Sequence, residues 1–358
     1  MTRAITSDNL VITDRGGVVE NTHEVHAAVV DETGQLLFYV GNPHRVTLIR
    51  SAAKPMQALA VAETGGFTQA GFDDEDLALM CASHSSEERH IQRAQRMLSK
   101  AKAEESDLRC GGHPSITPSI TQGWWRDGVT PTGVFNNCSG KHAGILAGSI
   151  AVGASFSDYH LPSHPIQHRV KEVVEAVAGL SSSDVKWGID GCNMPAPAYP
   201  LTSLGKSYAL FAKASKDLAS EAPIGSREQW MAQIFNAMAQ YPEMVGGDGR
   251  FCTILMNEFK GELVGKLGAD ACYAIGIKES ENTRRLGAKG AMGLAIKIGD
   301  GNYDILYAVC SHLLEQLNIG TADQRKGMDK FHDLKMINSM GIVTGRVSFQ
   351  YNLHRQPN

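Results

Sequence analysis

Residues 26–40 read HAAVV-DETG-QLLFYV. Two apolar runs, 26–30 and 35–40, flank the turn formers Asp31, Glu32, Thr33 and Gly34, a pattern that predicts an antiparallel pair of strands. Residues 46–49 predict a third strand. Outward from there the period changes. Residues 51–64 predict a helix stopped at Gly65-Gly66, with Pro55 tolerated in its first turn, where no intrahelical N–H is needed. Helices are also predicted near 74–82 and 87–103, the second opened by a capping-box pattern of Ser85 and Glu88. More follow from about 141 and over 166–178, 204–214, 228–240 and 251–258. Strands return at 262–266, 271–277 and 293–298, before a closing helix over 303–317. A short strand at 185–189 enters the turn Asp190-Gly191-Cys192. Strands near both ends with helices between predict an α/β chain of the α+β kind, with a mixed or antiparallel sheet drawn from both termini and covered by helices. The prediction is one domain over 1–358, or two intimate subdomains. Residues 109–137, rich in Gly, Pro, Ser and Thr, are expected as a long ordered loop with a functional role.

The bulk properties narrow the class. The chain has 358 residues, 42% hydrophobic and 20% charged, with a formal net charge of -4. That balance suits a globular protein and lacks the basic field of a nucleic-acid or membrane-surface binder. The first residues, MTRAITSDNLVITDRGG, hold no unbroken apolar core of a signal peptide. The apolar stretch 143–154 is too short for a membrane span. The expected compartment is the cytoplasm. Seven cysteines at wide spacing fit free thiols there better than a disulfide frame.

Chemistry-bearing residues cluster in a few segments. In Arg50-Ser51-Ala52-Ala53-Lys54, Ser51 and Lys54 are three apart and share a helix face. A serine needs a base before it attacks a carbonyl. A lysine can act as that base only when burial or a nearby cation lowers its pKa from about 10.4. By itself this spacing is also that of an ordinary helix start with an exposed lysine. Two more segments strengthen it: Ser83 in Cys81-Ala82-Ser83-His84-Ser85, and Lys266 in Gly265-Lys266-Leu267-Gly268 at a predicted strand end. The order Ser-x-x-Lys, Ser, Lys-x-Gly is that of serine β-lactamases and penicillin-binding proteins. Here the second segment lacks their asparagine, which argues against penicillin chemistry.

A second constellation joins Asn137-Cys138-Ser139-Gly140-Lys141-His142 to Asp190-Gly191-Cys192-Asn193. Two cysteines in glycine-containing turns suit a soft metal, zinc first. From pattern alone two core thiols are the commoner reading. His142 is a better third ligand on bare chemistry than Lys141, which must first lose a proton. Asp190 can orient a ligand or serve the turn. Arg50 can neutralise a substrate carboxylate or pair with a structural acid. His84 and His113 can each be structural. The run 246–250, GGDGR, is read as a tight turn before a helix and not as a phosphate loop.

With these motifs in order, the sequence resembles the rhizobial-type L-asparaginases, also called class 3 or the asparaginase II family. The resemblance rests on Arg50-Ser51-Ala52-Ala53-Lys54-Pro55, Cys81-Ala82-Ser83-His84-Ser85, Cys110-Gly111-Gly112-His113-Pro114, Asn137-Cys138-Ser139-Gly140-Lys141-His142 and Asp190-Gly191-Cys192-Asn193, and spans nearly the whole chain. It implies a serine β-lactamase-like fold, a homodimer, and hydrolysis of L-asparagine to L-aspartate and ammonia. It implies two serine–lysine pairs, Ser51 with Lys54 and Ser83 with Lys266. It also implies zinc on Cys138, Lys141 and Cys192. Glutaminase activity on the same fold is the nearest alternative, since one methylene separates the substrates. A zinc- or amino-acid-sensing protein is the non-enzymatic one.

Overall fold

The computed structural model describes residues 8–357. Its strands are β1 (Asn9–Arg15), β2 (Val18–Asp31), β3 (Leu36–Val40), β4 (Val46–Leu48), β5 (Lys186–Ile189), β6 (Pro195–Pro200), β7 (Leu263–Gly268), β8 (Cys272–Ile277), β9 (Met292–Ile298), β10 (Lys335–Ile337), β11 (Val343–Tyr351) and β12 (His354–Arg355). The main sheet runs β10-β11-β1-β2-β9-β8-β7, with β3 on β2 and β12 on β3. Every pairing in it is antiparallel. The order β4-β6-β5 makes a small second sheet. The architecture is therefore α+β with an antiparallel sheet.

The hairpin of β2 and β3 forms as expected, and its turn has a local cause. Asp31 Oδ1 accepts hydrogen bonds from the Thr33 amide at 2.9 Å, the Thr33 hydroxyl at 2.6 Å and the Gln35 amide at 3.1 Å. Such side-chain closure of a turn is what aspartate favours. β7 and β8 are buried at every position, so both faces of the sheet are covered there. The helix Leu201–Ala219 packs on β2, β8 and β9. The contact is possible because both partners are glycines: a Cβ on Gly293 would sit 1.8 Å from the Gly205 carbonyl oxygen. Beside the sheet, the helices Lys54–Glu63, Asp74–Met80, Ser139–Ala151, Pro165–Ala178 and Ser226–Gln240 pack on one another.

Several expectations change. The helix Tyr303–Gln316 does not close the chain; two short helices and β10–β12 follow, and β11 extends the sheet beyond β1. β1 and the first half of β2 were not expected: residues 18–22 are exposed on both sides and carry no apolar alternation, and β1 takes its place only by pairing with β2 and the distant β11. β6 reads PAPAYP, a composition that argues against a strand inside a sheet. The expected loop 109–137 contains a helix, Pro118–Arg126, and a 3-10 turn, Gly133–Phe135. The helix after the Ser83 segment is Glu88–Lys100, capped at Glu87 and not Ser85. Ser85 instead donates to the Gly246 carbonyl at 3.0 Å and accepts from Thr117 at 2.8 Å. Among the described residues no helix is long and apolar enough to cross a membrane.

Two more glycines set the seam between sheet and helices. A Cβ on Gly268 would lie 2.3 Å from the Ile49 carbonyl oxygen, so only glycine lets β7 press against the turn Arg50–Ala53. A Cβ on Gly140 would lie 2.5 Å from Leu79 Cγ, so the start of the helix Ser139–Ala151 lies close against the helix Asp74–Met80.

Candidate active site

The seam gathers the serines and lysines. Ser51 sits in the 3-10 turn Arg50–Ala53, which leads straight into the helix Lys54–Glu63. Tyr208 braces the turn by donating its hydroxyl to the Ala52 carbonyl at 2.8 Å. Arg50, just before Ser51, has φ of +51°, a left-handed conformation unfavourable for a residue with a Cβ. Lys54 is 1% exposed. Its Nζ donates to the Ala82 carbonyl and meets Ser83 Oγ at 3.2 Å. Lys266 on β7, also 1% exposed, meets the same Oγ at 2.8 Å and donates to the Leu267 carbonyl at 2.8 Å. Ser83 is thus held between two buried lysines. The Ser83–Lys266 pair is in direct contact. Lys54 bonds to Ser83, and among the described residues no hydrogen bond joins it to Ser51.

Burial pushes Lys266 down, and the neighbouring Lys54 charge adds to it, bringing its pKa to about 7. A neutral amine there can donate to the Leu267 carbonyl while accepting the Ser83 proton.

Ser51 and Ser83 open onto one cavity of about 380 Å³, lined also by Asn137, Arg250, Tyr303 and Tyr307. That is a size suited to a small ligand. Arg250 was not singled out as a site residue by the sequence, where it closes the run GGDGR. It caps the start of the helix Phe251–Phe259, and its Nη1 is buried with no hydrogen-bond partner. A buried cationic donor left unpaired is costly. The glycine run also has a packing reason. Gly247 has φ of +112°, and a Cβ there would lie 2.5 Å from Ser85 Oγ, so the loop carrying Arg250 packs on the Ser83 segment.

The cysteine constellation assembles on the other side of Lys54. Cys138, Lys141 and Cys192 are all buried, and Lys141 Nζ donates to Cys192 Sγ at 2.8 Å. A hydrogen bond from Cys192, against the opposing effect of burial, holds Cys138 well below the usual thiol range, and Lys54 and Lys141 add to it. The Cys192 thiol is pushed up by that same bond and by burial. One sulfur that favours the thiolate, one thiol and one lysine ammonium therefore share a proton network. Desolvation opposes the charge on Lys141, but Cys192, Cys138 and Asp190 raise its pKa above the ordinary lysine value. Two sulfurs and an amine in contact form a donor set that fits a thiolate-binding metal. His142 lies against the Cys192 backbone, with Nδ1 at 2.5 Å from the Tyr159 hydroxyl.

Arg50 is committed to two acids. Its Nε donates to Asp190 Oδ1 at 2.7 Å and its Nη1 meets Asp270 Oδ2 at 2.5 Å. Burial works to raise the Asp190 carboxyl, yet Lys141 and Arg50 together hold it below its ordinary value. Asp190 thereby links the turn before Ser51 to the turn that carries Cys192. His84 is structural: its Nε2 is 2.9 Å from Ser139 Oγ, its Nδ1 accepts the Ser86 amide at 3.1 Å, and its ring stacks on His90. His113 Nε2 accepts the Asn137 amide at 3.2 Å, which fixes a residue of the cavity wall. All seven cysteines are free and buried.

A family model described as L-asparaginase II matches residues 11–349. No curated protein matches the chain significantly.

Proposed function

The chain belongs to the L-asparaginase II family and is an amidohydrolase; from this premise we propose that it cleaves the side-chain amide of L-asparagine through a serine ester, releasing L-aspartate and ammonia. The observation that carries the reading is Ser83, bonded to both Lys54 and Lys266 on the wall of the cavity it shares with Ser51.

Ser51 Oγ attacks the carboxamide carbon. The N-terminus of the helix that follows favours the negative charge developing there. Lys54 takes the Ser51 proton. The proton is balanced by a shift through Ser83, bonded to both lysines, onto Lys266, whose amine can accept it. As the C–N bond breaks, Ser83 delivers a proton to the leaving nitrogen, and ammonia departs. Water then hydrolyses the aspartyl ester and restores Ser51. Arg250, a cavity-lining cation whose buried Nη1 has no hydrogen-bond partner, holds the substrate α-carboxylate.

Cys138, Lys141 and Cys192 would hold zinc. Bound there, zinc would supply a fixed positive charge and an open coordination position to the α-substituents of the substrate. Lys141 would have to give up its proton to join it. The placement of Ser51 and Lys54 at a helix start, Ser83 in a loop and Lys266 on the strand β7 supports a serine β-lactamase-like fold, read as one domain with a helical lobe against the sheet. Seven buried free thiols suit a reducing cytoplasm. The exposed Ile337, Met340, Ile342 and Val343 of the β10–β11 hairpin suit a homodimer contact.

A second reading has Ser83 attack with Lys266 as its direct base, favoured by their 2.8 Å bond. Acid quenching during turnover of L-asparagine, followed by peptide mass spectrometry, separates the two. The aspartyl adduct is expected on the peptide carrying Ser51. An adduct on Ser83 reverses the assignment, and normal ammonia release by Ser51→Ala removes the mechanism.

A further inference from the structure

A second cluster of ligand-type side chains lies where the helix Tyr303–Gln316 meets the short helix Asp329–His332. His312 and Glu315 are three residues apart on the first helix and so share a face. His332 ends the second. His312 Nδ1 lies 3.0 Å from His332 Nε2. Glu315 Oε2 lies 3.6 Å from His332 Nδ1 and 4.0 Å from His312 Nδ1. One donor atom from each of the three residues lies within 4.8 Å of the other two. Ligand atoms at bond lengths near 2.0–2.2 Å from a common ion sit about 3.0–3.5 Å apart. The histidine pair already has that spacing, and the carboxylate needs only a rotamer adjustment to reach it.

The surroundings favour a built site over a chance meeting of side chains. The His312 ring stacks flat on Phe349, with centroids 4.0 Å apart and planes 2° apart, and Tyr351 packs edge-on to it at 5.7 Å. That packing fixes the ring before any ligand arrives. A cavity of about 200 Å³ opens on Glu315 and His332, with Ser311, Asp329, Arg325 and Lys326 on its wall. The Arg325 guanidinium is occupied, donating from Nη1 to the carbonyls of Ile319 and Gly320 at 3.0 and 2.6 Å. Two carboxylates on the wall, Glu315 and Asp329, then outnumber the remaining cation, Lys326.

We infer that His312, Glu315 and His332 form a second metal site, for a divalent transition ion of the zinc, cobalt or nickel type. Imidazole and carboxylate donors select such ions over calcium or magnesium. The site has no sulfur, which separates it chemically from the Cys138–Lys141–Cys192 centre. Its position also gives it a role, which rests on the catalytic reading of the cavity above. Phe331, next to His332, packs edge-on to Phe251 at 4.9 Å and to Tyr307 at 5.7 Å. Tyr307 lines that cavity, and Arg250 directly precedes Phe251. An ion on His312, Glu315 and His332 pins together the two helices behind the Arg250–Tyr307 wall.

Cobalt(II) titration of the chelator-stripped full-length enzyme tests the inference. Cobalt on nitrogen and oxygen donors gives visible ligand-field bands without the near-ultraviolet thiolate charge-transfer band. Wild type is expected to show a cobalt equivalent of that thiolate-free kind and a gain in Tm with it. His332→Ala is expected to lose both. Glu315→Gln, a milder change on an exposed side chain, is expected to weaken this cobalt affinity about tenfold or more. Circular dichroism reports whether each variant is folded. Wild type with no thiolate-free equivalent, or His332→Ala and Glu315→Gln that both keep it at full affinity, would overturn the site. The charge-transfer band is scored separately. Its absence would count against the Cys138–Lys141–Cys192 centre and leave the second site supported.

Discussion

Lys266 and Lys141 are both buried, at 1% and 3% exposure, yet they are driven in opposite directions. Lys266 faces Lys54, and burial with that charge takes it to about 7. Lys141 is opposed by burial but surrounded by Cys192, Cys138 and Asp190, which together raise it. Burial penalises the charged form of either lysine, and the sign of the neighbours decides the outcome. The same residue type thus yields a neutral amine beside a serine at one point. A short way off it yields a cation among thiols.

The largest effect expected is on Ser51. Ser51→Ala should cut turnover by about 10⁴-fold or more with Tm unchanged, because a small side chain is lost from a turn already braced by Tyr208. Ammonia release and thermal unfolding read the two halves of that statement. Lys266→Met should reduce turnover by about 10³-fold and yet stabilise the protein by about 1–3 kcal/mol, since it replaces a buried amine whose charged form is disfavoured with an apolar chain of similar length. Lys141→Met should do the reverse to stability and destabilise, because it leaves the Cys138–Cys192 thiolate without its cation. Equal Tm shifts of the same sign in the two variants would break the comparison.

The pH dependence sharpens it. Lys266 has a lower pKa folded than unfolded, so between about pH 7 and pH 10.5 the unfolded chain binds the extra proton. Its unfavourable contribution is full below pH 7 and fades as the pH rises toward 10.5. Wild-type stability minus that of Lys266→Met should therefore increase across that window. Activity should rise through about pH 7, where the amine becomes able to accept a proton. A flat activity profile from pH 6 to 8 would show that Lys266 is not titrating there.

How far these sites were legible depended on the kind of signal. The turn at Asp31–Gly34 and the alternation into Val40 announce the hairpin, because turn chemistry and strand period are local. The last strands do not announce themselves. β11 finds its partner in β1, more than 300 residues away, and its residues 343–350 are exposed or only half-buried. β6 hides behind its prolines. For the site, the segments of Ser51, Ser83, Cys138, Cys192 and Lys266 could be named from motif spacing and family resemblance. Which lysine touches which serine could not. The Lys266–Ser83 contact depends on β7 pressing against the turn Arg50–Ala53 at Gly268, a three-dimensional fact. Arg250 was missed for the same reason: its meaning is an unpaired Nη1, and pairing is invisible until the cavity is built.

Smaller effects test the parts around the two lysines. Arg250→Met should raise KM for L-asparagine about ten- to a hundredfold, the worth of one to two charge-assisted hydrogen bonds. Its kcat should change little, and Arg250→Lys should rescue it only in part, since a point charge does not replace a two-pronged donor. A fall in kcat at constant KM would move Arg250 from binding into chemistry. Smallest of all is Asp270→Asn. Arg50 holds two acids, but the Asp190 side chain is 12% exposed and that of Asp270 is 72% exposed. An exposed ion pair contributes about 0–1 kcal/mol, so Asp270→Asn should leave kcat/KM within about twofold. Asp190→Asn removes a partner that Arg50 and Lys141 both face, and should lower Tm and loosen the turn before Ser51. If the two variants behave alike, Arg50 is an ordinary surface cation, and the tie it makes between the serine turn and the thiol turn carries no energy.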